Sequence, residues 1–151
     1  MALFIGTHEN KVDRKGRVSL PADYRSELPK DDDRVIYVFP SLYISALEAC
    51  DRAQLELHAE RIGALDRFSQ EEAYFSSQIL AEARKIGIDG DGRIVLPAEF
   101  MNRASIDGKA LFVGGGPKFH IWQPEAYAEH KRVTQQALSG HTLPALPRTP
   151  S

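Results

Sequence analysis

Cysteine is almost absent from this chain. Cys50 stands alone among 151 residues, which excludes an intrachain disulfide framework and any zinc site built on a cysteine cluster. Long hydrophobic runs are missing too, so no segment reads as a transmembrane helix. The opening MALFIGTHENK has neither a basic region nor an extended apolar stretch, and no signal peptide is expected. Charge of one sign is also lacking: 19 Lys and Arg stand against 21 Asp and Glu, a net −2, which excludes a histone-like polycation. What is present, 42% hydrophobic and 26% charged residues, excludes wholesale disorder. The expectation is a soluble cytoplasmic protein of one ordinary domain, or of two small units sharing a core.

An even charge total does not exclude nucleic-acid binding, which depends on local clustering. Residues Asn10 to Val18 carry Lys11, Arg14, Lys15 and Arg17 against Asp13 alone, a local +3. That stretch opens an internal repeat. Asp13 to Asp23 reads DRKGRVSLPAD and Asp89 to Glu99 reads DGDGRIVLPAE, with six of eleven positions identical at an offset of 76. An apolar run follows each copy, VIYVF from Val35 and ALFV from Ala110, and Tyr43 and Phe119 coincide at the same offset. Two such short units imply one pseudo-twofold body, because neither buries enough surface alone.

Each copy reads as strand, turn, strand, short helix, strand, strand. His8–Val12 and Arg84–Ile88 lead into Asp-x-x-Gly-Arg turns, where Asp bonds nearby backbone N–H groups and Gly tolerates positive φ. Residues 17–20 and 93–96 follow as apolar or β-branched strands. Pro21 and Pro97 stop them and suit the first position of a short helix, with Asp23 and Glu99 in its first turn. Between the copies, Leu47 to Leu65 reads as a helix with Leu47, Leu55, Ile62 and Leu65 on one face, and Ser69 with Glu72 resembles a capping box. Pro124 opens a last helix reaching about Leu138. The boundaries that follow are repeat 1 at 7–54, a helical connection at 55–82, repeat 2 at 83–126, a C-terminal helix at 127–138 and a disordered, proline-bearing tail at 139–151.

DRKGRVSLP and DGDGRIVLP, each after a short strand, resemble the paired Asp-x-x-x-Arg motifs of the MraZ family. Phe4-x-Gly6, the Phe-His-Ile-Trp run at 119–122 and the helical middle fit as well, so the resemblance spans about Phe4 to Leu138. It implies an α+β fold: a duplicated swapped-hairpin (SpoVT-AbrB-like) β-barrel with flanking helices. It further implies a cytoplasmic, nucleoid-associated transcriptional regulator of the division and cell-wall gene cluster. Such a regulator assembles into a ring and binds repeated elements in double-stranded promoter DNA, its own operon's included. An antitoxin-like protein-interaction module on the same fold is the alternative, although antitoxins of this superfamily usually carry one copy and a partner-binding tail.

The residue chemistry agrees with a DNA contact. Arg14, Lys15 and Arg17 sit on a narrow hairpin tip where Gly16 permits close backbone approach; Arg holds phosphate or a guanine edge with two hydrogen bonds, and Lys supplies a point charge. Asp13 and Asp89 read as orienting partners of the turns, with Gly92 the counterpart of Gly16. The family's second motif usually has a polar or basic residue where this chain has Asp91, which would repel phosphate. For Arg93, a DNA contact and an ion-paired structural role stand side by side.

Other features point to no chemistry. Gly114-Gly115-Gly116-Pro117 lacks the Gly-Lys-Ser/Thr ending of a phosphate loop and reads as a hairpin connection. The five histidines show no metal-ligand spacing, and no cofactor motif is present. Cys50 reads as a buried thiol, and Glu71-Glu72 as a helix's first turn. Without a nucleophile–base pair or convergent carboxylates, an enzyme is not expected.

Overall fold

The computed structural model describes residues 2–30 and 34–147. Its strands are β1 (Thr7–Lys11), β2 (Arg17–Ser19), β3 (Val35–Pro40), β4 (Leu47–Cys50), β5 (Arg84–Gly87), β6 (Arg93–Val95), β7 (Lys109–Gly114) and β8 (Lys118–Trp122). The helices are α1 (Ala22–Arg25), α2 (Arg52–Gly63), α3 (Gln70–Phe75), α4 (Ala98–Arg103) and α5 (Pro124–Ala137), with a π-helical turn at Ser76–Leu80 after α3. The mixture is α+β.

Six strands form an antiparallel sheet in the order β1-β7-β8-β4-β3-β5, while β2 and β6 pair only with each other. The order read backwards is the same order with the two copies exchanged. Each copy's first strand pairs with the other copy's third: β1 with β7 and β5 with β3. The expected barrel is not closed. β1 and β5 remain the two edges of the sheet, because the Asp-x-x-Gly turns carry β2 and β6 away from it. Beyond the turn itself, the Val12–Val18 bridge and a 2.7 Å bond from Asn10 Nδ2 to the Ser19 carbonyl tie β2 to β1.

One buried cluster takes residues from both copies, among them Val18, Leu20, Tyr24 and Ile36 from the first and Ile94, Leu96, Phe100 and Phe112 from the second. Phe4, Tyr24 and Phe119 form its aromatic centre, with ring centroids 4.9 to 5.4 Å apart. The Tyr24 hydroxyl donates to the Gly6 carbonyl at 2.7 Å, and burial pushes its pKa up to about 12. A smaller cluster of Phe39, Ile62 and Ile79 seats α2 and the π-helical turn on β3.

Three local expectations need correction. Leu47–Cys50 is a strand rather than the start of a helix. Asp51 accepts a 2.9 Å bond from the Gln54 N–H and caps α2 there, and Leu47, Ala49 and Cys50 are buried between β3 and β8. Tyr43 and Phe119 are not equivalent: Tyr43 is 85% exposed in the β3–β4 connection, whereas Phe119 is in β8 at the aromatic centre. Pro21 and Pro97 are N-caps of α1 and α4, one residue before the helix. Elsewhere Ser69 Oγ accepts from the Glu72 N–H at 3.1 Å, and Gln123 caps α5 ahead of Pro124. Residues 139–147 are exposed and outside helix and strand, and 148–151, the rest of the expected tail, lie outside the described residues.

Candidate nucleic-acid interface

Both Asp-x-x-Gly-Arg turns fold in the same way. In the first, Asp13 Oδ1 accepts from the N–H groups of Lys15 and Arg17, each at 2.9 Å, and Oδ2 takes Arg17 Nε at 2.6 Å. The Gly16 N–H donates to the Asp13 carbonyl at 3.0 Å, and Gly16 takes φ +83°. In the second, Asp89 Oδ1 accepts from Asp91 and Arg93 N–H at 2.9 Å, and Gly92 takes φ +77°. The Arg17 backbone N–H first, then its guanidinium, holds the Asp13 carboxyl below its ordinary value; the Arg93 N–H does the same for Asp89.

The glycines lock the copies together. The Leu96 N–H donates to the Gly16 carbonyl and the Leu20 N–H to the Gly92 carbonyl, both at 2.9 Å. The close approach that Gly16 permits is therefore made to Leu96. A side chain at Gly16 would overlap the Leu96 carbonyl, and one at Gly92 would overlap the Arg25 guanidinium.

The β2–β6 register opposes Arg17 to Val95 and Ser19 to Arg93. Val18 and Ile94 are buried, so Arg17, Ser19, Arg93 and Val95 share the outer face of a two-stranded ribbon. Arg17 and Arg93 line one shallow depression with Lys11, Asp13 and Ser19. The structure thus brings together the two arginines that lie 76 residues apart in sequence. It separates the tips: because the ribbon is antiparallel, Arg14 and Lys15 lie at one end of it, and Gly90 and Asp91 at the other.

The two arginines differ in what they have left to offer. Arg17 gives Nε to Asp13, and among the described residues its outer nitrogens have no hydrogen-bond or ion-pair partner. Arg93 spends Nε on Asp89 at 3.3 Å and Nη2 on Asp91 at 3.2 Å. Arg25, which sequence reading missed, brings a further cation to the second turn; its Nη1 donates to the Leu20 carbonyl at 2.6 Å. Its counterpart in the second copy is Met101, so the repeat held no signal for it.

A second polar group lies elsewhere. Glu48 on β4 faces His120 Nε2 at 3.4 Å and His58 Nε2 at 3.5 Å. Burial works against its charge, yet the two histidines outweigh burial and bring its pKa down to about 2. Burial, then the nearby Glu48 and Asp51 charges, pushes the Cys50 thiol up to about 12. Among the described residues, no group of three or more His, Cys, Asp and Glu is placed to hold a metal, and no helix is long and apolar enough to cross a membrane.

The family model described as "MraZ protein, putative antitoxin-like" matches residues 3–44 and 79–142. Proteins named "Transcriptional regulator MraZ" align over most of the chain. That of Rickettsia akari is 38% identical over 136 residues, covering 90% of this chain and 91% of the relative. The Pelagibacter ubique protein is 37% identical over 129 residues, covering 85% and 83% respectively. One from Rickettsia bellii is 39% identical over 127 residues, covering 84% and 85%. The family model's match takes in both Asp-x-x-Gly-Arg turns and every strand of the sheet except β4, and the chain belongs to the MraZ family.

Proposed function

We propose that this chain is a sequence-specific DNA-binding transcriptional regulator that reads duplex DNA with the outer face of the β2–β6 ribbon. The observation that carries the reading is that Arg17 and Arg93 share one exposed ribbon face, with the Arg14–Lys15 tip at its Arg17 end. A two-stranded ribbon fits the major groove of B-DNA, and guanidinium groups suit its guanine edges. The names of the relatives support a regulatory role. Arg14, Lys15 and Arg17 are the first contacts, Arg93 a lesser one, and Asp13, Gly16, Asp89 and Gly92 hold the turns.

The finer parts of the reading rest on family membership. They are a duplicated swapped-hairpin fold with repeats at 7–54 and 83–126, and a ring-like homo-oligomer. They also include repeated promoter elements of the division and cell-wall cluster, the chain's own operon among them, and a cytoplasmic, nucleoid-associated location. The palindromic strand order supports the duplication. A ring is favoured on energetic grounds, since one tip with a few cations makes too few contacts for specific affinity at physiological salt, and identical tips on repeated elements multiply them.

Selection of binding duplexes from a random-sequence pool, followed by footprinting of the native promoter, tests this. Enrichment of a short repeated element is expected. The family description favours one second reading, an antitoxin-like module. Recovery of one stoichiometric small protein partner with no enriched duplex would establish that reading instead.

A further inference from the structure

The end of the ribbon that carries Arg14 and Lys15 holds another basic pair. Lys11 closes β1 and stands directly opposite Lys109, the first residue of β7. Like charges directly opposed across an antiparallel pair are destabilising. Partial relief comes from Glu9, whose carboxylate lies 3.9 Å from Lys109 Nζ; the Lys109 side chain is still 61% exposed.

The duplication supplies an internal control. The counterpart of this pair in the other half is Gly87 opposite Val35, at the matching end of β5 and β3. The same ladder therefore closes with no charge at all, and the fold has no need of two lysines there. The tips differ in the same sense: Arg14 and Lys15 correspond to Gly90 and Asp91. Five cations, Lys11, Arg14, Lys15, Arg17 and Lys109, gather at one end, with Glu9, Asp13 and Asp107 as the acids along these segments. Lys11 lines the same depression as Arg17, so the lysine pair adjoins the reading face.

We propose that Lys11 and Lys109 form a phosphate clamp. They grip the DNA backbone beside the groove that the ribbon occupies, so each chain engages DNA with one end of its pseudo-symmetric ribbon. The clamp rests on the DNA-binding reading above. Its lysines are phosphate contacts, which add affinity and salt dependence but no discrimination between sequences.

The test compares wild type with Lys109→Gln and with Lys11→Gln/Lys109→Gln. Each binds a duplex that the wild type selected from random sequence and a scrambled duplex, and anisotropy is read from about 50 to about 200 mM salt. The double variant should lose about two units of salt slope per engaged chain on both duplexes, and the single variant about one. Across that range the wild type then loses on the order of tenfold more affinity per engaged chain than the double variant. The preference for the selected duplex should be unchanged. The double variant should melt no lower than wild type, since a like-charge pair is removed. Where the wild type does bind DNA, an unchanged slope in the double variant overturns the clamp alone, as does loss of sequence preference. A wild type that binds no duplex overturns the DNA reading and the clamp with it.

Discussion

Gly16 and Gly92 occupy equivalent turns with nearly equal φ, yet alanine should cost much more at one than at the other. Both residues are left-handed, and a non-glycine residue there loses about 1–2 kcal/mol. Stiffening of the unfolded chain works in the opposite direction, adding less than about 1 kcal/mol to stability and so offsetting part of that loss. The difference lies in what the new methyl group meets. At Gly16 it meets the Leu96 carbonyl, which belongs to the interlocking backbone and cannot turn aside. Moving it strains the bond from the Leu96 N–H to the Gly16 carbonyl, worth about 1 kcal/mol. At Gly92 the methyl group meets the far end of the Arg25 side chain, which can swing away and give up its bond to the Leu20 carbonyl. Gly16→Ala should therefore cost about 3 kcal/mol and Gly92→Ala about 1–2 kcal/mol in urea unfolding. A double-mutant cycle sharpens the comparison. Arg25→Ala should relieve part of the Gly92→Ala penalty, whereas Met101→Ala should not rescue Gly16→Ala, because the carbonyl stays. Equal penalties, or rescue by Met101→Ala, would refute the interlocking-backbone account.

Arg17→Ala should weaken binding to a selected duplex by roughly 1–3 kcal/mol per engaged chain, and Arg93→Ala by less, since Asp89 and Asp91 already hold two of its nitrogens. Titration showing the opposite ranking would place the reading on the wrong arginine. Glu48 has a folded pKa of about 2 against an ordinary 4.5, so its stabilisation is complete above about pH 4.5 and is lost as pH falls toward 2. Glu48→Gln should remove that part of the acid dependence, up to about 3 kcal/mol, and an unchanged acid limb in melting curves would contradict it. The Cys50 thiol, buried and pushed up to about 12, should resist a thiol reagent at neutral pH until the protein unfolds.

The repeat made the turns and the ribbon legible, because an Asp, a Gly and an Arg at fixed spacing dictate one local structure twice. It failed where the copies stop matching. The offset of 76 holds through α1 and α4 but falls to 74 at β3 and β7, so Tyr43 aligned with Phe119 although the two are not equivalent. Lys109 went unnoticed for the same reason: it lies beyond the matched segment and meets Lys11 only when β7 docks on β1. Leu47–Cys50 misled because its apolar residues suit a helix as well as a strand. What decides is burial on both faces between β3 and β8, which periodicity does not register. That the sheet stays open was equally out of reach, since it depends on where the two turns send β2 and β6.

The pairing of β1 with β7 joins Thr7 to Val113, partners 106 residues apart in the chain. On the ribosome the first strand must wait for the seventh. At about 5–20 residues per second, the wait is on the order of 5 to 20 seconds. Until then β1 has no ladder partner, β2 lacks β6, and the apolar residues of the first copy lack most of their cover. Closing a loop of 106 residues comes late and sets a slow pace for folding. A nascent chain stalled before β7 is therefore a sticky species, exposed to aggregation and to chaperones, and the fold is completed only once β7 and β8 have been made.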